Sequence, residues 1–260
     1  MHPDRLDRGH PFRQWKTWRI PGTSVTLTGY SRANDKTFFH VPELRCALDA
    51  DLVEGRQVDT VLLTHTHHDH VKDLDFLAAK AGTDIYLPAA ALSDTRAYLD
   101  ASLRLNHGAA YDPGLVGYRL HGVGQGDEFQ LGRHRVRVAE CRHKVPCVGY
   151  ALSEVGKVLL PEHATLKDSL PAKEFGKLMA EKRKAGVPID QEVRRPLFAF
   201  LGDTHPSVFY RNDWLFDYPV IITEGTYLHD TELERAERVG HTVWSKLRPY
   251  VEQTRTLCSC

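Results

Sequence analysis

The chain has 260 residues, of which 42% are hydrophobic and 26% are charged, and its formal net charge at pH 7 is zero. This is the composition of an ordinary globular protein. Because the net charge is zero, no overall field attracts nucleic acid or an anionic membrane, so any such binding must come from a local patch.

Two further classes of protein are disfavoured by the local sequence. No apolar run approaches the length of a membrane span, and the polar start of the chain lacks the apolar centre of a signal peptide. The cysteines are odd in number and their spacing predicts no disulfide framework, so we expect reduced thiols, an intracellular protein and no membrane contact. No linker separates the two halves, and residues 1–260 are therefore predicted to form a single domain.

The first half of the chain predicts mostly strands. Short strands separated by turns are expected at 17–20, 24–30, 37–40 and 44–48. The next strand, at 58–64, is mostly apolar and should be covered on both faces. It is followed by a predicted helix near 74–80, a strand at 84–87 and a longer helix at 90–105.

The second half predicts paired strands and then helices. The elements expected, in chain order, are hairpin strands at 127–131 and 133–141, hairpin strands at 148–152 and 157–160, a helix at 170–185, buried strands at 197–201 and 219–223, and helices from about residue 230. Strands in blocks with helices outside each block indicate an α+β fold. In such a fold two sheets pack face to face and helices cover their outer surfaces.

The strand at 58–64 leads into a cluster of imidazoles and a carboxylate. The stretch VDTVLLTHTHHDHVKDL contains the pattern His-x-His-x-Asp-His, formed by His65, His67, Asp69 and His70. Side chains two positions apart in an extended segment point the same way, so His65 and His67 can hold one ion while the following turn carries Asp69 and His70 to a neighbouring position. Such ligands suit zinc, and also iron or manganese. The competing interpretation is a histidine-rich surface loop, or core histidines bonded to backbone.

Two later segments place similar side chains at the ends of strands. CRHKVPCVGYAL has His143 just past a strand, and LFAFLGDTHP has Asp203 just past a buried apolar strand. A carboxylate at the mouth of a buried strand is costly unless it is paired or bound to a metal. Taken alone, His143 is also compatible with an ordinary loop histidine, and Asp203 with a turn or helix-cap residue.

THTHHDH, His143 and the triplet GDT together resemble the metallo-β-lactamase superfamily. HKVPCVGYAL and TEGTYLHDTELERAERVGHT are similar to motifs of its ribonuclease Z branch, the endonucleases that trim tRNA 3′ ends. The resemblance extends from about residue 23 to about residue 257. It implies a four-layer αββα sandwich with two mixed sheets, and two loops that contact phosphate, at 223–226 and 241–242.

The same resemblance implies a role for each candidate site residue. The implied metal ligands are His65, His67 and His143 for a first zinc ion, Asp69 and His70 for a second, and Asp203 as the bridge between them. Asp69 would also orient the attacking hydroxide or take a proton from it. Glu224 and His241 would lie near the scissile phosphate, where His241 would stabilise charge or protonate the leaving oxygen.

The chain departs from the ribonuclease Z branch in two places. The branch ends in a strand with one more metal-binding histidine, but here no histidine follows His241 and the tail reads TRTLCSC, so we expect that strand to be missing or altered. The second metal site would then be weaker than the first. Water, His205 or a thiolate of Cys258 or Cys260 could complete it, or the chain is a shortened form. Between the two later ligand segments we expect a compact charged helix where many members of the branch have a long tRNA-clamping arm.

Three functions are compatible with these features. The first is a zinc-dependent phosphodiester hydrolase, an endonuclease that acts on tRNA precursors. The second is a hydrolase of a small ester, thioester, lactone or cyclic nucleotide, and the third is a weakly active homologue that binds RNA or a protein partner. The missing histidine favours the third, whereas the complete first-metal set and the pair Glu224 and His241 favour the first. Members of the branch often form dimers, and we expect a homodimer here.

Overall fold

Two sheets form the centre of this computed structural model, which describes residues 16–33, 35–114, 116–253 and 257–259 (backbone alone at 109 and 257–259). In the first sheet seven strands neighbour one another in chain order. They are β1 (Lys16–Arg19), β2 (Thr26–Arg32), β3 (Lys36–Val41), β4 (Cys46–Leu48), β5 (Thr60–Leu62), β6 (Asp84–Pro88) and β7 (Arg119–Val123). The pairs from β1 to β4 are antiparallel and those from β4 to β7 are parallel.

The second sheet also mixes antiparallel and parallel pairs. Its strands are β8 (Glu128–Leu131), β9 (His134–Cys141), β10 (Cys147–Leu159), β11 (Asp190–Phe200), β12 (Ile221–Thr223) and β13 (Leu257–Ser259). They lie in the order β13-β12-β11-β10-β9-β8. The pairs β11–β12 and β12–β13 are parallel, so β11 and β12 both present their carboxyl ends at the same edge of the sheet.

Helices cover the outer face of each sheet. The α-helices of the described residues are α1 (His68–Val71), α2 (Leu74–Ala78), α3 (Leu92–His107), α4 (Pro161–Ser169), α5 (Ala172–Lys184), α6 (Ser207–Arg211), α7 (Leu233–Val239) and α8 (Trp244–Gln253). One core cluster lies between the sheets and includes Phe39 and Phe198. A second joins the first sheet to α2 and α3, and a third joins the second sheet to α6 and α8. These layers confirm the predicted αββα sandwich.

Most of the predicted elements are present within a few residues, but the hairpin predicted at 148–152 and 157–160 is wrong. Residues 147–159 form one continuous strand, β10, because the segment between them keeps pairing with β11, and Gly156 lies opposite Val193 with no turn. Several elements were not predicted, among them the strand β7 and the helices α1, α4 and α6. Leu44 lies in a short 3₁₀ helix rather than in β4.

The insertion between the two later ligand segments is larger than the compact helix that the sequence predicts. Both α4 and α5 lie there, between the outer parts of β10 and β11. Residues 190–195, which were predicted as part of the helix, belong to the strand β11. The outer parts of β10 and β11 are paired with each other, from Ser153 opposite Pro196 to Leu159 opposite Asp190. The insertion is therefore a two-stranded ribbon that carries two helices.

The end of the described chain also corrects an expectation. Residues 257–259 form the strand β13, which pairs in parallel with β12, so of the two alternatives for the terminal strand, missing or altered, the structure has a strand of three residues without a histidine. None of the described side chains of Cys46, Cys141 and Cys147 forms a disulfide. Among the described residues, no helix is both long and apolar enough to cross a membrane.

Candidate metal centre

The first ligand segment begins where β5 ends. His65 is fully buried, and His67 is the extended residue before α1, the short helix that carries Asp69 and His70. The extended backbone up to His67 gives way to helix at residue 68, and this change of direction separates the first two histidines from the acid and the third histidine. The local sequence thus produces two ligand groups from one loop, as the pattern predicts.

Two glycines bring the later ligand segments against the first. Gly202 has a positive φ of 58°, and a Cβ there would lie 2.6 Å from Thr64 Oγ1, so only glycine lets Asp203 approach the strand end before His65. Gly240 has a φ of 76°, and a Cβ there would lie 2.6 Å from the Cα of His143. The loop of Asp203 therefore packs closely on the Thr64 side chain, and the loop of His241 packs on the backbone at His143.

Four side chains converge on a common point. One ligand atom from each of His65, His67, His143 and Asp203 lies within 4.8 Å of the others. His67 Nδ1 is 3.1 Å from His65 Nε2 and 3.0 Å from His143 Nε2, and Asp203 Oδ2 is 3.9 Å from His65 Nε2. The structure thus brings together the three histidines predicted for the first metal and the predicted bridging aspartate.

The hydrogen bonds of Nδ1 in His65 and His143 show which ring nitrogen of each residue carries the proton. Thr64 Oγ1 donates its one proton to Asp49, so it accepts a hydrogen bond from His65 Nδ1, 3.0 Å away. His143 Nδ1 donates to the carbonyl oxygen of Gly240 at 3.1 Å. Nε2 of both rings is therefore an unprotonated acceptor aimed at the common point, which is the arrangement of metal-binding histidines.

Burial keeps these imidazoles neutral. It lowers the pKa of His65 well below its usual value, and neighbouring imidazoles lower it further. Burial also lowers the pKa of His67, although the carboxylate of Asp69 acts in the opposite direction. It lowers the pKa of His143 to about 4. Neutral imidazole nitrogens and a carboxylate oxygen that converge on one point are ligands that a divalent cation takes, so this donor set fits a divalent metal.

A second group of side chains adjoins the first through Asp203. His70 Nε2 lies 3.7 Å from Asp203 Oδ2 and 4.0 Å from Asp69 Oδ2. Burial raises the pKa of Asp203 to about 6. Burial alone would lower the pKa of His70, but the carboxylate of Asp49 outweighs it and raises that pKa to about 9. In the absence of a cation the carboxylates therefore hold a proton on Nε2 of His70, the atom that would bind the second metal.

Asp49 is a site residue that the sequence analysis missed. Its Oδ2 accepts a hydrogen bond from His70 Nδ1 at 2.7 Å, and its Oδ1 accepts bonds from the amide of Thr64 at 2.7 Å and from the Thr64 hydroxyl at 2.9 Å. Asp49 thus fixes the rings of both His65, through Thr64, and His70. The signal was present in the sequence, because Asp49 follows the buried strand β4 as Asp203 follows β11.

Glu224 and His241 form a pair at the edge of the metal centre. The carboxylate of Glu224 accepts hydrogen bonds from His241 Nδ1 at 2.8 Å and from the amides of Thr226 at 2.7 Å, Thr242 at 2.9 Å and Thr204 at 3.3 Å. Burial alone would lower the pKa of His241, but the bond to Glu224 raises it. Glu224 therefore holds the Nδ1 side of the His241 ring and ties three loops together.

A cavity of about 340 Å³ lies over the centre. His67, Asp69, His143, Asp203 and His241 line it, together with Lys144, Arg235, His68 and Tyr227. His205, in contrast, points away from the second group, since its Nε2 pairs with Glu237 at 2.8 Å. It therefore does not complete the second site, and the side chains of Cys258 and Cys260 lie outside the described residues.

Comparisons with known proteins agree with this geometry. Residues 34–160 match the family model of the beta-lactamase superfamily domain. No curated protein sequence matches the chain significantly. Among solved structures, the chain is similar to the short form of human tRNase Z, with a TM-score of 0.51 and 16% identity over 92% of this chain and 85% of that one.

A second solved structure with the same fold is the metallo-β-lactamase fold protein YhfI from Bacillus subtilis, with a TM-score of 0.50 and 14% identity over 89% of this chain and 80% of that one. At these identities the structural likeness establishes the fold. The resemblance to the metallo-β-lactamase superfamily is thus confirmed: residues 34–160 match its family model, and the described chain has its fold.

Proposed function

We propose that this chain is a metal-dependent phosphodiester hydrolase of the ribonuclease Z type, and that its substrates include the 3′ ends of tRNA precursors. The observation that carries the proposal is the position of Asp203 between two ligand groups on the floor of a cavity, beside the pair of Glu224 and His241. When bound, two divalent cations supply positive charge that lowers the pKa of water and offsets the charge of a phosphodiester.

The protein groups around the cavity have the properties that phosphodiester hydrolysis requires. Asp69 lines the cavity next to His70, where its carboxylate can orient a water molecule and accept its proton. His241 has its Nδ1 held by Glu224, so its Nε2 is placed to donate a proton to the leaving oxygen. Because the bond to Glu224 raises the pKa of His241, the protonated form that can donate is favoured.

The charges at the cavity support an anionic substrate. The chain has no net charge, yet Lys144 and Arg235 both line this cavity. Arg235 lies over the ring of Tyr227, at 5.6 Å from its centroid, which presents a cation and an aromatic ring together. Stacking surfaces and cations of this kind suit nucleotides.

The finer proposal, tRNA, draws on two features beyond the cavity. The fold is that of the human tRNase Z short form. The ribbon of β10 and β11 carries the helix α5, whose last turn is basic with Lys182, Arg183 and Lys184. A basic element at a distance from the cleavage site can contact a large RNA that a small diester does not reach.

Two substrates test the proposal. Purified protein with added zinc or manganese is assayed with bis-p-nitrophenyl phosphate and with a tRNA that carries a 3′ extension. We expect both to be cleaved, and both activities to disappear in His67→Ala. Cleavage of the small diester alone would restrict the function to small phosphodiesters. Cleavage of neither would contradict hydrolysis and favour a binding homologue.

A further inference from the structure

A second, much smaller cavity adjoins the second ligand group. Its volume is about 20 Å³. The candidate ligands His70 and Asp203 form part of its wall. The remaining lining combines two phenylalanine rings with polar side chains, namely Phe39, Phe200, Ser31, Thr37, Thr223 and Glu224.

Thr223 is the polar side chain of this cavity that has no partner. It is 2% exposed, and its Oγ1 makes no hydrogen bond with any described residue. The other polar groups are satisfied, since the hydroxyls of Ser31 and Thr37 bond to each other at 2.9 Å and Glu224 accepts four hydrogen bonds. A buried hydroxyl without a partner is unfavourable, so the Thr223 hydroxyl points to a small polar ligand in the cavity.

The size and the lining of the cavity identify that ligand. A buried water needs about 10–15 Å³ and two to four polar partners. A cavity of about 20 Å³ meets the first condition, and Thr223 and Asp203, which both line it, offer polar groups for the second. An imidazole or another side chain of similar size does not fit in this volume.

We propose that this cavity holds one ordered water molecule, bound by the hydroxyl of Thr223, which supplies the missing ligand of the second metal site. The inference rests on the metal centre proposed above. Among the described side chains, Asp69, His70 and Asp203 give the second group three ligands, whereas zinc commonly takes four. Thr223 is then a positioning residue that acts on the metal through water.

The position of Thr223 in the fold explains why a water is needed there. Thr223 is the last residue of β12, and its Cα lies in parallel register opposite Ser259 of β13. The terminal strand therefore passes this cavity, at the place where the ribonuclease Z branch is expected to supply its final histidine. This chain has no histidine in that strand, and among the described residues His70 is the one histidine in the cavity lining.

Metal titration of the intact chain tests the proposal without any substrate. Zinc binding is followed by calorimetry and cobalt binding by absorbance, for the wild type, Thr223→Val, Thr223→Ser and the control Thr60→Val, a buried threonine of β5. We expect two binding steps in the wild type. Thr223→Val should weaken the second step about 10–100-fold and leave the first unchanged, because loss of an outer partner of a ligand has this effect. Thr223→Ser, which keeps the hydroxyl, should retain wild-type affinity.

Two results would overturn the inference. One is that Thr223→Val and the wild type bind the second metal with equal affinity, while matching thermal unfolding shows that both proteins are folded. The other is a second step that depends on Cys258, seen as its loss in Cys258→Ser and its persistence in Thr223→Val. The diester assay is independent of these titrations. A protein that binds two metals through Thr223 but cleaves no diester would contradict the proposed function and support the inference.

Discussion

The two ligand groups of this centre differ in how completely the protein forms them. The first, with His65, His67, His143 and Asp203, offers four ligand atoms within 4.8 Å. The second has Asp69, His70 and the shared Asp203, with His70 Nε2 at 3.7–4.0 Å from the two carboxylates. Because four protein ligands hold zinc more firmly than three, the difference predicts a tight first metal and a weaker second one.

The largest effect is expected from the first group. His67→Ala removes the imidazole whose Nδ1 lies about midway between His65 and His143, at 3.1 and 3.0 Å. We expect loss of the tight metal and a fall of diester hydrolysis to the background rate, measured by elemental analysis and by release of p-nitrophenol. His121→Ala, which removes an imidazole paired with Asp84, should change neither. Retention of one tight zinc in His67→Ala would show that the first group is not the metal site.

A smaller effect separates catalysis from metal binding. His241→Ala removes the proposed proton donor but no predicted metal ligand. We expect kcat to fall about 10²–10⁴-fold, the usual contribution of general acid catalysis, while metal content stays unchanged. Steady-state kinetics and elemental analysis of the same preparation check both statements. A parallel loss of metal would mean that His241 belongs to the metal centre itself.

A still smaller effect on metal binding is expected from Asp49, which holds His70 of the second group. Asp49→Asn weakens the bond that orients His70 and leaves all predicted ligands in place. We expect the second metal to bind about 10–100-fold more weakly, with a much smaller change at the first. Zinc titration measures both. The matched control is Asp73→Asn, since the Asp73 carboxylate accepts a bond from the amide of Val53, at 2.9 Å, outside the centre. An equal weakening of both metals would contradict the division into two groups.

The smallest effect concerns the rim of the cavity. Lys144 lines the cavity and forms no ion pair with the described residues. Its replacement in Lys144→Ala should raise KM for a phosphodiester about two- to fivefold at constant kcat, as expected for one exposed charge. The exposed Lys167 of α4 offers the control Lys167→Ala. A change in kcat without a change in KM would argue against a role in substrate binding.

The sequence predicts which side chains converge because these residues lie in short patterns at strand ends. His65, His67, Asp69 and His70 occupy six consecutive positions, so local geometry alone orients them. Asp49 was missed because its partner His70 is 21 residues away, and no local pattern links the two. Its position after an apolar strand was the available signal.

Other departures have the same tertiary origin. The sequence near Gly156 predicts a turn, but β10 stays extended at Gly156 because it remains paired with β11 there. The amides of Thr204, Thr226 and Thr242 that surround the Glu224 carboxylate come from three loops, and no local pattern shows that they meet. The small cavity beside Thr223 depends on side chains from β2, β3, β11 and β12, which no local window contains.

The central claim is that imidazoles and acids from separate loops share a bound cation. Anomalous diffraction at the zinc absorption edge, on crystals of the protein grown with zinc, tests it directly. The account predicts a strong peak among the ligand atoms of His65, His67, His143 and Asp203, and a weaker one beside Asp69 and His70. Absence of a peak at the first position, with zinc bound elsewhere on the chain, would contradict it.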